Sequence, residues 1–157
     1  MSTFRRVLVP HDFSDHATKA LRMAARLVVP NGRLLVLHVV TPFVPVTDIP
    51  TIGMSSYVAP EELLALAQKQ LDKTLTRALP KKTKMRVEAR VVIGDPYQRI
   101  IHAARGMDAI VMATAGRTGL SHLLIGSVAE KVVRHSPIPV LTLRPTAGRK
   151  AARKRAR

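Results

Sequence analysis

The feature that most constrains the fold is the regular alternation of short apolar runs with amphipathic segments. "RRVLVP" (5–10) reads as a buried strand, and "SDHATKALRMAARLVV" (14–29) as a helix with Ala17, Leu21, Ala24 and Val28 on one face. The pair "NG" at 31–32 reads as a stop, and "RLLVLHVV" (33–40) as a second strand. Residues 41–59 carry Pro42, Pro45 and Pro50 with little periodicity, which predicts a long loop or lid. Pro60 then opens a helix over 60–79, where Leu63, Ala67, Leu71, Leu75 and Leu79 recur every fourth residue and Pro80 ends the run. A strand at 85–93, a helix at 95–106, a strand at 107–114, a helix from about Ser127 and a strand at 139–144 complete the series.

Strands separated by helices imply one α/β domain with a mostly parallel sheet covered on both faces. The first, second and fourth strands are nearly continuous apolar runs, as strands buried on both sides should be. In the third, Met85, Val87, Ala89 and Val91 alternate with Arg86, Glu88 and Arg90, the mark of a half-exposed edge strand. A doubly wound five-stranded sheet of order 3-2-1-4-5 satisfies both patterns. In such a sheet, ligands bind beyond the carboxyl ends of the strands where the winding reverses, here between the first and fourth. The segments that meet there are "PHDFS" (10–14) and "ATAGRTGLSHLLIGS" (113–127).

The second segment contains neither G-x-x-x-x-G-K-[ST] nor G-x-G-x-x-G, so neither of the two commonest phosphate loops is present. It does carry Gly116, Gly119 and a Gly126–Ser127 pair opening a helix. Glycine lets backbone approach a phosphate closely, and a helix N-terminus offers free N–H groups and partial positive charge. Each feature also has a plain architectural use. Ser127 with Glu130 has the spacing of a capping box, and Asp95-Pro96 with Gln98 reads as another cap.

"VLVPHDFSDHATKAL", "GDP" before the third helix, and "MATAGRTGLSHLLIGSVAEKVVRHSPIPVLTLR" together resemble the universal stress protein family, in register over about residues 4 to 144. The resemblance implies the same 3-2-1-4-5 fold, a homodimer formed through the last strand at 139–144, and a stress-response role. The expectation of a cytoplasmic location comes instead from an N-terminus without a long apolar h-region. One branch of the family binds ATP and is marked by Gly-x2-Gly-x9-Gly-[Ser/Thr]. Here Gly116, Gly126 and Ser127 match that pattern, and Ala113 stands where the first glycine is expected. Asp12 matches the family's acidic residue at the adenosine end, and Val39 the position whose backbone meets adenine. The implied nucleotide site comprises Pro10, Asp12, Val39, Ala113, Gly116, Arg117, Gly126, Ser127 and Val128. The ligand would be ATP, with magnesium or manganese bridging its phosphates. An alanine at the end of a strand, where φ is normally negative, needs only room for its methyl group. The family's other branch leaves an alternative, a dimer without nucleotide that works through protein–protein or polyanion contacts.

The chain has 157 residues, no cysteine and a formal charge of +16, which excludes disulfides and thiolate chemistry and favours anionic partners. No apolar run is long enough to span a membrane. The domain is expected over 1–144. The remaining segment, 145–157, is basic, lacks a packing face and is expected to be disordered, with "GRKAARKRAR" suited to non-specific nucleic-acid or other polyanion binding over 149–157. No carboxylate lies near the expected γ-phosphate end, so the chain is read as a binding protein rather than an enzyme. His11, beside a strand terminus, is expected to be a surface or hydrogen-bonded residue, with a place at the cleft mouth as the alternative. His38 and His102 are expected to be structural histidines within apolar patterns. No His, Asp and Glu spacing suggests a metal cage.

Overall fold

A computed structural model of the chain describes residues 3–41, 59–114 and 125–144. Its elements are β1 (Phe4–Pro10), α1 (Asp15–Leu27), β2 (Val28–Val40), α2 (Pro60–Ala78), β3 (Arg86–Ile93), α3 (Pro96–Ala103), β4 (Ala109–Ala113), α4 (Ser127–His135) and β5 (Val140–Leu143). The five strands form one parallel sheet in the order β3-β2-β1-β4-β5, as the apolar patterning anticipated.

Alternation along each central strand divides the apolar residues between two cores. Val7, Val9, Leu34, Val36 and Val111 point to one face, where Ala20, Leu21 and Ala24 of α1 and Leu71 of α2 cover them. Leu8, Leu35, Leu37, Ile110 and Met112 point to the other, beneath Ile100 and Ala104 near α3 and Ala129 and Val132 of α4. A continuous apolar run is therefore the sequence form of a strand that serves both layers. The outer strand β3 follows the same parity, and its half-buried Glu88 bridges Arg33 of β2 and Arg90 of its own strand.

The strand β2 begins earlier than the asparagine–glycine pair suggested. Phe4 pairs with Val28 and Arg6 with Arg33, so residues 29–32 bulge out opposite Arg5. Asn31 takes φ 62 and donates its N–H to the Lys84 carbonyl at 2.6 Å, tying the bulge to the start of β3. A Cβ at Gly32 would lie 2.7 Å from the Arg5 carbonyl oxygen, so the pair bends a strand rather than ending a loop.

Other departures have similarly local causes. On α2, only Ala67 and Leu71 of the leucine stripe are fully buried, Leu75 and Leu79 are partly buried against the same core, and Leu63 is exposed because the first turns of the helix lie beyond it. His102 faces solvent on α3 instead of packing in an apolar layer. β4 starts two residues later than expected because Asp108 is occupied with β1. The Asp108 carboxylate accepts the Arg5 and Arg6 N–H groups at 3.0 and 2.8 Å and pairs with the Arg6 guanidinium at 2.9 Å. Desolvation pushes this carboxyl up, but the Arg6 and Arg5 hydrogen bonds and the Arg6 charge together hold it below the usual range. The 41–59 loop, apart from its two ends, and the 145–157 tail lie outside the described residues.

Candidate functional site

The carboxyl ends of β1 and β4 diverge to opposite layers, and a cleft of about 350 Å³ opens between them. Pro10, Asp12, Val39, Ala113, Gly126, Ser127 and Val128, all expected at one site, line this cleft together. Gly116 and Arg117 lie outside the described residues. The floor is apolar, with Leu37, Ile100 and Met112 drawn from the α3/α4 core.

The β1 side is held by a connected set of hydrogen bonds. Ser14 caps α1, its hydroxyl accepting the Ala17 N–H at 3.0 Å and donating to Asp12 Oδ1 at 2.6 Å. Oδ1 also accepts the Ser14 N–H at 3.1 Å, while Oδ2 accepts none among the described residues. Asp12 is thereby aimed by the helix start that follows it. Next to it, Phe13 adopts φ 66, a conformation uncommon for a bulky side chain. Its N–H donates to His11 Nδ1 at 3.0 Å, and its ring lies 4.2 Å from that of His38.

His11 is only 3% exposed. Because Nδ1 accepts the Phe13 N–H, the neutral ring carries its proton on Nε2, placing it 3.3 Å from Thr18 Oγ1 as a donor. Thr18 passes its own hydrogen to the Ser14 carbonyl at 3.1 Å. Desolvation lowers the His11 pKa to about 4; Asp12 opposes this shift and His38 adds to it. His38 Nδ1 lies 2.7 Å from the His11 carbonyl oxygen and therefore donates to it. His11 is thus a neutral strut under the Asp12 loop, more deeply placed than a residue at a cleft mouth.

On the β4 side, the Thr114 N–H donates to the Leu143 carbonyl at 3.0 Å, and the Thr114 carbonyl accepts the Gly126 N–H at 2.7 Å. This fastens the start of α4 to the end of β4. Gly126 is the cap residue and no side chain caps the helix, so the expected Ser127–Glu130 capping box does not form. Ser127 is already the first helical residue, and Glu130 pairs instead with Arg134 at 2.9 Å. The Ser127, Val128 and Ala129 N–H groups consequently find no acceptor among the described residues, at the rim of the cleft. The Asp95 cap does form, accepting the Gln98 N–H at 2.8 Å.

Ala113 has no positive φ, and its side chain follows Val111 toward the α1 core, opposite to Met112 on the cleft floor. Among the described lining residues, Asp12 is the sole carboxylate and there is no Lys or Arg. No described cluster of His, Asp and Glu could hold a metal by itself. No helix among the described residues is long and apolar enough to cross a membrane. The sequence reading missed Thr18 and the floor residues, and placed Thr114 only as a polar side chain near the expected phosphates. Strand parity was the available signal for Leu37 and Met112, each one or two positions from a named site residue.

Fold and cleft define a doubly wound α/β domain with a crevice at the switch point of the sheet, the place where such sheets take ligands. The Universal stress protein family model matches residues 3–144, and the chain belongs to that family. A universal stress protein of Thermus aquaticus is 34% identical over 144 residues, spanning 90% of this chain and 99% of the relative. Among solved structures, the Methanocaldococcus jannaschii protein MJ0577 superposes with a TM-score of 0.69 at 22% identity, covering 93% of this chain and 99% of that one. A universal stress protein solved in complex with cAMP gives 0.61 at 21% identity, covering 92% and 100%.

Proposed function

We propose that the protein binds an adenine nucleotide, ATP, in the β1/β4 cleft and acts as a dimeric stress-response regulator. The observation that carries this reading is the uncapped first turn of α4, whose three N–H groups border the cleft with no protein acceptor among the described residues. That arrangement suits a phosphate. Asp12, with Oδ2 available across the cleft, suits ribose hydroxyls, and the apolar floor of Leu37, Ile100 and Met112 suits a flat base. The family relative solved with cAMP supports an adenine nucleotide as the ligand class.

In this reading Pro10, Asp12 and Val39 contact the adenosine, and Gly126, Ser127 and Val128 the phosphates, joined by Gly116 and Arg117. The described lining supplies one carboxylate, so magnesium or manganese would arrive with the nucleotide and bridge its phosphates, neutralising their charge. The role is regulatory: occupancy stabilises the Asp12 loop and the start of α4 in one arrangement. β5 is an edge strand with Leu141 43% exposed, which supports pairing with a second copy. A cytoplasmic location accords with this role.

The test is to denature the purified protein and resolve the released small molecules by chromatography, alongside thermal shifts in ATP with magnesium. Released adenine nucleotide, or a rise in melting temperature, is the expected result. Neither release nor shift would overturn the reading in favour of a dimer acting without nucleotide.

A further inference from the structure

A second cleft, of about 500 Å³, lies at the opposite end of the sheet, where β2 and β3 begin. Arg22 and Arg26 from the last turns of α1 form one side, and Lys82 and Lys84 from the link between α2 and β3 the other. These are the only charged residues among those that line it, and there is no carboxylate. The ion pairs among the described residues join Arg6, Arg33, Arg90 and Arg134 to acids elsewhere, and none uses these four cations. Arg26 alone can be explained as a cation at a helix C-terminus. Arg22, Lys82 and Lys84 are exposed and converge on one cleft with no acid beside them.

The basic surface continues along α2. Lys69, Lys73 and Arg77 lie on one exposed face of the helix, interrupted by Asp72, and Arg77 directly precedes the cleft residue Ala78. From Lys69 to Arg77 the helix rises about 12 Å. A nucleic-acid duplex presents about seven phosphates over that length of axis. The cleft offers little to a peptide. Pro30 and Pro80 have no N–H to donate, and the Asn31 N–H is already bonded to the Lys84 carbonyl at 2.6 Å. It has no aromatic side chain on which a base could stack and no Asn or Gln to pair with adenine, and the Thr83 hydroxyl is bonded to the Met85 carbonyl at 2.9 Å.

We propose that Arg22, Arg26, Lys82 and Lys84, extended by the α2 stripe, form a binding surface for a nucleic-acid phosphate backbone, independent of base sequence and separate from both the nucleotide cleft and the basic tail. Contacts of this kind release counterions and depend steeply on salt.

The test is fluorescence anisotropy with a labelled DNA duplex across a salt series, using three forms of the full-length chain. These are the parent, a variant with Arg22, Arg26, Lys82 and Lys84 all changed to Gln, and a variant with the six tail cations changed to Gln. The cleft variant should lose at least about tenfold in affinity at low salt and flatten the slope of log K against log salt by about three to four. The tail variant should still bind. Exchanging Arg for Lys and Lys for Arg at the same four positions should restore binding, which separates charge loss from misfolding. Absence of duplex binding by the parent at low salt, an unaltered slope in the cleft variant, abolition by the tail changes alone, or capture of poly-glutamate without duplex would each overturn the proposal.

Discussion

The Gly126 N–H donates to the Thr114 carbonyl at 2.7 Å, so the cap residue of α4 is bonded directly to the residue that follows β4. That bond turns a helix start into a cleft wall. A Cβ at Gly126 would stand 3.3 Å from the same carbonyl oxygen, tighter than ordinary contact. Gly126→Ala should therefore push the first turn of α4 outward by a few tenths of an ångström. We expect ATP affinity to fall about three- to tenfold with less than about 1 kcal/mol of stability lost. Isothermal titration and chemical denaturation of the same preparation measure both.

Ala113 should matter much less. Its methyl group follows Val111 into the α1 core, and its φ is not one that glycine alone tolerates well. Ala113→Gly is expected to leave ATP affinity within about threefold, and to cost about 1 kcal/mol through the loss of a packed methyl group and added chain entropy. A gain above tenfold in a nucleotide titration would mean that the methyl group obstructs the ligand after all.

Asp12→Asn preserves an oxygen to accept from Ser14 but removes the charge from the cleft. The α1 cap should survive and the fold should remain. Losing a charge-assisted hydrogen bond to a ribose hydroxyl is expected to weaken nucleotide binding about tenfold, with a smaller effect on inorganic triphosphate. Competition between ATP and triphosphate on the variant reads this split.

Much of the architecture was legible because the sheet has two covered faces. A strand such as "LLVLHVV" must supply Leu34 and Val36 to one core and Leu35 and Leu37 to the other, and that requirement is written as an unbroken apolar run. Seven of the residues that line the cleft were legible through the family resemblance, with Ala113, Gly126 and Ser127 placed by its glycine spacing. What escaped depends on contacts across the chain. Asn31–Gly32 reads as punctuation until Lys84 is found holding the bulge. Ser127 reads as a cap until Thr114 is found to fix Gly126 in that place. His11 reads equally as a surface or a hydrogen-bonded histidine until Phe13 and Thr18 are found at its two nitrogens.

The proposed dimer can be tested on β5. Leu141 is 43% exposed on the edge strand of the sheet, beside a row of backbone groups with no further strand described. Leu141→Lys would place a charge at the strand pairing interface while leaving both cores untouched. Light scattering at tens of micromolar should show a dimer for the parent and a monomer for the variant. A monomeric parent would remove β5 as the assembly surface.

Stability should depend on pH through His11. In the unfolded chain the imidazole titrates near 6.5, whereas burial lowers it to about 4 in the fold. Between those values the unfolded state binds more protons, so stability rises with pH across the window and is lost as the solution is acidified through it. The full difference corresponds to about 3 kcal/mol. Protonating Nδ1 would also break its bond from the Phe13 N–H and loosen the loop that aims Asp12. Asp108, held low by Arg6 and Arg5, contributes stability above its unfolded value of 3.8 that disappears only at more acidic pH. Urea denaturation from pH 7 to pH 4 should show the decline in the parent and a flatter profile in His11→Gln. Equal slopes in the two proteins would assign the acid sensitivity to another group.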